Sequence, residues 1–284
     1  MRRAGAIFAA VVAGVLALAT PAFAGRLAYS SGAPSQVFTV PASGGAAQQI
    51  THDPAGAAHP DWSRDGRLVA YDVGGTQLAV ANADGSGEHF ITIEMDAIDP
   101  SWSPDSSQLA FTGVKYGDTG NAEDTSLYVT QADSSNYVRI GDGSEPDWSP
   151  AGDWIVYRSN PADSDGCPGI WRKRPDGSDN SPVAPGTPDG SVCSGGGSDP
   201  SFSPNGKRVV FVSGDGTTIF TTSVYGGKKR RVVHDPAPKT SPVFSPNGRT
   251  IVYSTGSGLW KVSAKGGRPK RIAGSAASVA WQPG

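Results

Sequence analysis

The 284-residue chain carries 24 Lys and Arg against 26 Asp and Glu, a formal charge of −2, and it holds 38 Gly and 23 Pro. A balance so near neutral excludes a general nucleic-acid binder, which would be basic. The density of Gly and Pro excludes a mainly helical protein. An apolar fraction of 37% suffices for a core, and the single long apolar stretch excludes a multi-span membrane protein.

That stretch comes first. Arg2 and Arg3 precede an apolar run from Ala6 to Ala19, Pro21 breaks it, and Ala22-Phe23-Ala24 has the small-x-small pattern of a cleavage site. This reads as a secretory signal, residues 1–24, with a mature domain at 25–284. The run is short for a membrane span, and no Cys follows it to carry a lipid. The expected product is exported to a periplasm, a cell wall or the medium, with no membrane span after cleavage. Export gives meaning to the two cysteines, Cys167 and Cys193. In an oxidising compartment they are expected to form a disulfide. Closing a loop of about 26 residues would add roughly 3.5 kcal/mol.

The mature region then repeats itself. Segments beginning at His59, Asp99, Glu145, Asp199 and Ser241 align without gaps as x-Pro-x-aromatic-Ser, with anchor aromatics Trp62, Trp102, Trp148, Phe202 and Phe244. Nine residues after each anchor stands Tyr71, Phe111, Tyr157, Phe211 or Tyr253. A third segment follows at Leu78, Leu127, Ile170, Ile219 or Leu259. Then comes a turn such as Asp84-Gly85 or Gly266-Gly267, and a last segment ends near Ile91, Ile140, Val183, Val233 or Ile272. Four short strands per unit, punctuated by turn residues, match the period of a four-stranded propeller blade.

The ends complete the pattern. Ser278-Val-Ala-Trp281 is a first strand alone, and Arg26-Leu-Ala-Tyr29, Val37-Phe38 and Ile50 supply the other three. Joined, they make a sixth blade and close the ring, which hides a sheet edge. The fold expected is all-β, a six-bladed β-propeller of four-stranded antiparallel blades.

The motif Pro-x-Trp-Ser-Pro-Asp-Gly, the apolar strand ending in an aromatic, and the Gly-rich hairpin resemble the TolB-like six-bladed β-propeller family with its WD-repeat-like blades. The resemblance covers essentially the whole mature chain. It is to the propeller alone, without the N-terminal domain of TolB. It implies the fold firmly and the function poorly, because such blades serve many unrelated roles.

Most repeated residues read as structural. The aromatics fill the space between blades, and Ser-Pro-Asp/Asn-Gly is turn chemistry. Ser106-Ser107 and Ala151-Gly152-Asp153 depart from that motif and are expected to turn differently. Long insertions at 113–125, 158–169 and 185–198 fall on one face, where repeat proteins usually bind. On that face a polar ring is expected at the start of the innermost strands: His59, Asp99, Glu145, Asp199, Ser241 and Ser278. Converging carboxylates there would attract a cation or a basic peptide end.

His52, His59 and His234 share that face, and with the carboxylates they make a candidate transition-metal set. A secreted metal-dependent carbohydrate-active enzyme, a lyase or hydrolase, is therefore the alternative function. No nucleophile elbow, phosphate loop or His-Glu-x-x-His motif is present. The basic run Lys228-Lys-Arg-Arg231, with Arg268, Lys270, Arg271 and Arg172-Lys-Arg174, reads as protection of edge strands, with contact with acidic polymers as the alternative. The resulting expectation is an exported monomeric, non-catalytic scaffold that binds a protein, a peptide or a cell-envelope glycan, and no nucleic acid. No cofactor is expected, with a divalent cation at the channel mouth left open.

Overall fold

The computed structural model describes residues 25–116, 122–133, 136–160, 166–189, 192–194 and 196–283; the side chains of 122, 123, 187–189 and 192–194 fall outside it. The expected signal peptide, residues 1–24, also lies outside the described residues. In chain order the strands are β1 (Arg26–Gly32), β2 (Ser35–Pro41), β3 (Gln48–Gln49), β4 (Ala57–Trp62), β5 (Leu68–Val73), β6 (Gln77–Asn82) and β7 (His89–Ile91). Then come β8 (Asp96–Trp102), β9 (Gln108–Tyr116), β10 (Ala122–Gln131), β11 (Tyr137–Asp142), β12 (Ser144–Trp148), β13 (Ile155–Arg158), β14 (Ile170–Lys173) and β15 (Ser181–Ala184). A small hairpin, β16 (Thr187–Asp189) and β17 (Val192–Ser194), precedes β18 (Gly197–Phe202), β19 (Arg208–Ser213), β20 (Thr218–Ser223) and β21 (Arg230–His234). The last are β22 (Thr240–Phe244), β23 (Thr250–Thr255), β24 (Gly258–Ser263), β25 (Lys270–Ala273) and β26 (Val279–Trp281).

These strands pair into six four-stranded antiparallel sheets. Blade 1 has the order β26-β1-β2-β3, and blades 2 to 6 are β4–β7, β8–β11, β12–β15, β18–β21 and β22–β25. Closure runs through Leu27↔Trp281, Ala28↔Ala280 and Tyr29↔Val279. Gln282 reinforces it, donating from Nε2 to the Gly66 carbonyl of blade 2 at 2.8 Å.

The aromatic repeat is explained by packing between blades. Trp102 of blade 3 is 5% exposed and lies against Ala70, Leu78, Val80 and Ile91 of blade 2. Trp148, Phe202 and Phe244 repeat the arrangement against blades 3, 4 and 5. The second aromatics Tyr71, Phe111, Tyr157, Phe211 and Tyr253 are fully buried. Each such side chain contributes about 1.5–3 kcal/mol. The Gly-rich hairpin of one blade also rests on the outer strand of the blade before it. A Cβ on Gly177, at φ 87°, would stand 2.7 Å from the Ile140 carbonyl oxygen.

Two expectations need correction. Ser106 takes the left-handed position itself (φ 59°), and Ser106 N donates to Ser103 O at 2.9 Å, so that turn matches the others. Gly152 does the same at φ 80°, while Asp153 replaces the usual Asp or Asn as acceptor for the Ser149 hydroxyl, at 2.9 Å. The change of sequence is absorbed because the turn needs one αL residue and one local side-chain acceptor, not one particular order of them. Nor does Arg172-Lys-Arg174 decorate an edge. Lys173 is buried and donates to the Ile140 carbonyl at 3.3 Å. Arg172 and Arg174 stack on Trp154 at 4.2 and 4.0 Å.

No helix among the described residues is long and apolar enough to cross a membrane.

Candidate functional site

The six expected ring residues come together. His59, Asp99, Glu145, Asp199, Ser241 and Ser278 line a cavity of about 110 Å³ at one mouth of the central channel. Ser278 directly precedes β26, as expected, but the other five lie inside their strands rather than starting them. Asp99 lies inside β8, and the registers of β4, β8, β12, β18 and β22 shift at this level. His59, Asp99, Glu145, Asp199 and Ser241 all have positive φ, between 46° and 56°. A residue before proline ordinarily prefers extended backbone, and a non-glycine residue here costs about 1 kcal/mol or more. The bulge turns each of these side chains toward the channel axis.

Hydrogen bonds carry the ring from blade to blade. Ser30 and Ser278 share a 2.6 Å bond, and Ser278 Oγ accepts from His59 N at 3.1 Å. His59 Nδ1 bonds Asp72 Oδ2 at 2.6 Å and lies 3.5 Å from Asp99 Oδ1. Thr112 donates to Asp99 at 3.2 Å and accepts from Glu145 N at 3.0 Å. Glu145 Oε2 accepts from Asp199 N at 2.6 Å, and Ser241 donates to Asp199 Oδ1 at 3.4 Å. Thr240 completes the circuit on the Ala277 carbonyl at 2.6 Å.

The electrostatics follow from crowding. Burial works against a charged His59, but its bond to Asp72 and the charges of Asp99, Asp72 and Asp199 outweigh it and raise its pKa to about 9. Burial, with the Asp199 charge beside it, pushes Glu145 up to about 8. Burial raises Asp99 as well. Near neutral pH the mouth therefore holds an imidazolium among carboxylates, one of which keeps its proton. The His59 side chain is 45% exposed and those of Asp99 and Glu145 are 19% and 26% exposed, so the ring is open to a ligand.

Deeper in the channel lie residues the sequence reading missed. Asp61 Oδ2 accepts from Trp102 N at 2.8 Å, Ser101 Oγ from Trp148 N at 3.0 Å, and Asp147 Oδ2 from Phe202 N at 2.7 Å. Burial raises Asp61 to about 6 and Asp147 well above its usual range. The available signal was an oxygen-bearing side chain directly before the anchor in four units. The anchors themselves line the opposite mouth, a cavity of about 180 Å³, with Trp281.

The three histidines proposed as a metal set are not brought together. His52 Nδ1 bonds Gln49 at 3.1 Å, His234 Nδ1 bonds Thr218 at 2.8 Å, and His59 bonds Asp72. Among the described residues, no group of three or more His, Cys, Asp or Glu side chains is placed to hold a metal ion. Cys167 is buried, whereas the Cys193 side chain lies outside the described residues. The backbone beside Cys167 adjoins both stems of the β16–β17 hairpin that carries Cys193, since a Cβ on Gly186 would stand 2.5 Å from the Pro168 carbonyl oxygen and one on Gly196 would also collide with it.

The profile of the TolB beta propeller domain matches residues 92–283. The Tol-Pal system protein TolB of Rhizorhabdus wittichii is 34% identical over 77 residues, which span 27% of this chain and 17% of that protein's length. The crystal structure of TolB from Acinetobacter baumannii superposes with TM-score 0.75 at 21% identity, over 92% of this chain and 67% of that one. An oligogalacturonate lyase in complex with manganese superposes with TM-score 0.59 at 14% identity, over 84% and 71%. At such identities these structural likenesses carry the fold alone.

Proposed function

Because the chain belongs to the TolB beta propeller domain family, we propose that it is an exported, non-catalytic scaffold. It binds a protein or peptide at the acidic channel mouth on the long-loop face. The observation that carries this reading is the ring itself. Five non-glycine residues accept a left-handed backbone at equivalent positions and present carboxylates and an imidazole to one cavity. Backbone strain retained at a mouth open to solvent is a signature of a working surface. Its chemistry suits an ammonium or guanidinium from the partner, such as a basic peptide end. A disulfide between Cys167 and Cys193 tethers two of the loops that frame this face. Its support is the proximity of their backbones.

The test replaces charge while keeping shape. The triple variant Asp99→Asn, Glu145→Gln and Asp199→Asn should lose binding of a lysine-terminated peptide, measured by calorimetry, and lose capture of envelope proteins. Its thermal midpoint should stay within a few degrees of the parent. Unchanged binding by the folded triple variant would remove this face as the site.

A further inference from the structure

The near-zero total charge conceals a strong division around the ring. Residues 25–199 contain nine Lys and Arg against twenty-four Asp and Glu, while residues 200–284 contain thirteen against two. Blades 5 and 6, which are neighbours, are therefore a cationic sector set into an otherwise acidic ring.

Within that sector the charge is concentrated along a cleft. A cavity of about 670 Å³ is bordered by Arg208, Ser223, Lys228 and Arg230. A second, of about 530 Å³, shares Arg208 and Arg230 with it and adds Asn205, Asn247 and Lys265. Two guanidinium groups are held in place: Arg208 donates to the Thr221 hydroxyl, and Arg230 donates to the Lys265 carbonyl at 2.7 Å. The ion pair of this sector is Lys239 with Asp235, at 2.9 Å. Among the described residues, no carboxylate lies within ion-pair reach of Lys228, Arg230, Arg231, Arg249, Lys265 or Lys270.

Edge protection accounts for only part of this: Arg230 and Arg231 stand on the edge strand β21, and Lys270 and Arg271 on the edge strand β25. The edge strands β3 and β7 carry no Lys or Arg, and Phe90 of β7 is exposed. Part of the basic cluster stands on turns instead: Lys207 and Arg249 lie in the turns between the two innermost strands of their blades, and Lys265 in the hairpin after β24. Unpaired like charges gathered in one cleft repel each other, and an anionic ligand relieves that repulsion.

We propose that the cleft running over the outer strands of blade 5 to its junction with blade 6 binds a linear anionic polysaccharide, with Arg208, Lys228, Arg230 and Lys265 meeting its acid groups and Asn205, Asn247 and Ser223 meeting its hydroxyls. A single extended chain can follow a cleft that passes from the turn face to the outer wall. A flat anionic bilayer or a nucleic-acid duplex would press equally on the acidic sectors beside it. This surface is separate from the channel mouth, so the two sites stand or fall independently.

The probe is alginate oligomers, with dextran of equal length as the neutral control and vesicles containing phosphatidylglycerol as the bilayer control. The expected result is binding of alginate but not dextran, weakened about tenfold or more when salt rises from about 0.05 to 0.5 M. The exposed double variant Lys228→Glu/Lys265→Glu should bind alginate about tenfold or more weakly with an unchanged thermal midpoint. The variant Arg64→Glu/Arg67→Glu, on blade 2, should match the parent. Equal binding of dextran, undiminished alginate binding by the folded Lys228→Glu/Lys265→Glu protein, or attachment to vesicles alone would overturn the proposal.

Discussion

Ser30 and Ser278 stand 248 positions apart in sequence and share a buried hydroxyl–hydroxyl hydrogen bond of 2.6 Å. Ser278 N also donates to Ser30 Oγ at 3.1 Å, so the pair locks the strand on which ring closure depends. Ser278→Ala should cost about 1–3 kcal/mol, because it orphans a buried hydroxyl and the His59 amide. The double variant with Ser30→Ala should cost less than the sum of the single ones, since both partners then disappear. Urea denaturation of the three variants measures this coupling.

Stability should fall as pH rises from about 5 to 9. His59 has a folded pKa raised to about 9 from 6.5. The folded state holds that proton after the unfolded chain has released it, so the stabilisation is complete below 6.5 and gone above 9. Glu145 acts with the same sign between 4.5 and about 8, because its folded form also retains the proton. Thermal midpoints across this range should decline, and His59→Gln should flatten the part above 6.5.

The channel aspartates should tolerate loss of charge but not loss of the acceptor. Asp147→Asn keeps an oxygen for Phe202 N and removes an acid that burial disfavours in its charged form. Its stability near pH 8 should equal or exceed the parent. Asp147→Leu leaves that amide unpaired and should cost about 1–3 kcal/mol. Chemical denaturation at pH 8 separates the two.

Gly177→Ala should destabilise by about 1–2 kcal/mol, because the position needs φ 87° and the added methyl meets the Ile140 carbonyl. A comparable change at Gly216, which has open space around it and φ 73°, should cost only the backbone component. Thermal midpoints of the two variants read the difference directly.

If Cys167 and Cys193 are joined, reduction should lower stability by about 2–5 kcal/mol. Intact-mass measurement with and without a thiol-alkylating reagent should find no alkylation before reduction and two additions after it. Two alkylated thiols in the native, unreduced protein would remove the bond.

The ring was legible because its grammar is repeated. Trp281 lacks three strands and Tyr29 lacks one, so their pairing could be read from what each end was missing. The same repetition placed His59, Asp99, Glu145 and Asp199 at one mouth. Their backbone conformation was not legible, since the residue before a proline normally favours extended geometry and only the bulge overrides it. Asp61 and Asp147 were hidden by the variable residue beside a conspicuous tryptophan. Lys173 looked like a surface charge because nothing local reveals that its amine reaches carbonyls at Ile140 and Asp142. The basic run at Lys228–Arg231 was legible, but its place in a wider cationic sector was not, because charge totalled over the whole molecule lets opposed regions cancel.

The hairpin that leans on its neighbour sets a direction to the circle. Gly177 of blade 4 contacts blade 3, Gly226 of blade 5 contacts blade 4, and Gly266 of blade 6 contacts blade 5. Each unit thus leans backward on one already made, so the nascent polypeptide can assemble in the order of its synthesis. Only the first unit must wait, its innermost place vacant until the final strand arrives.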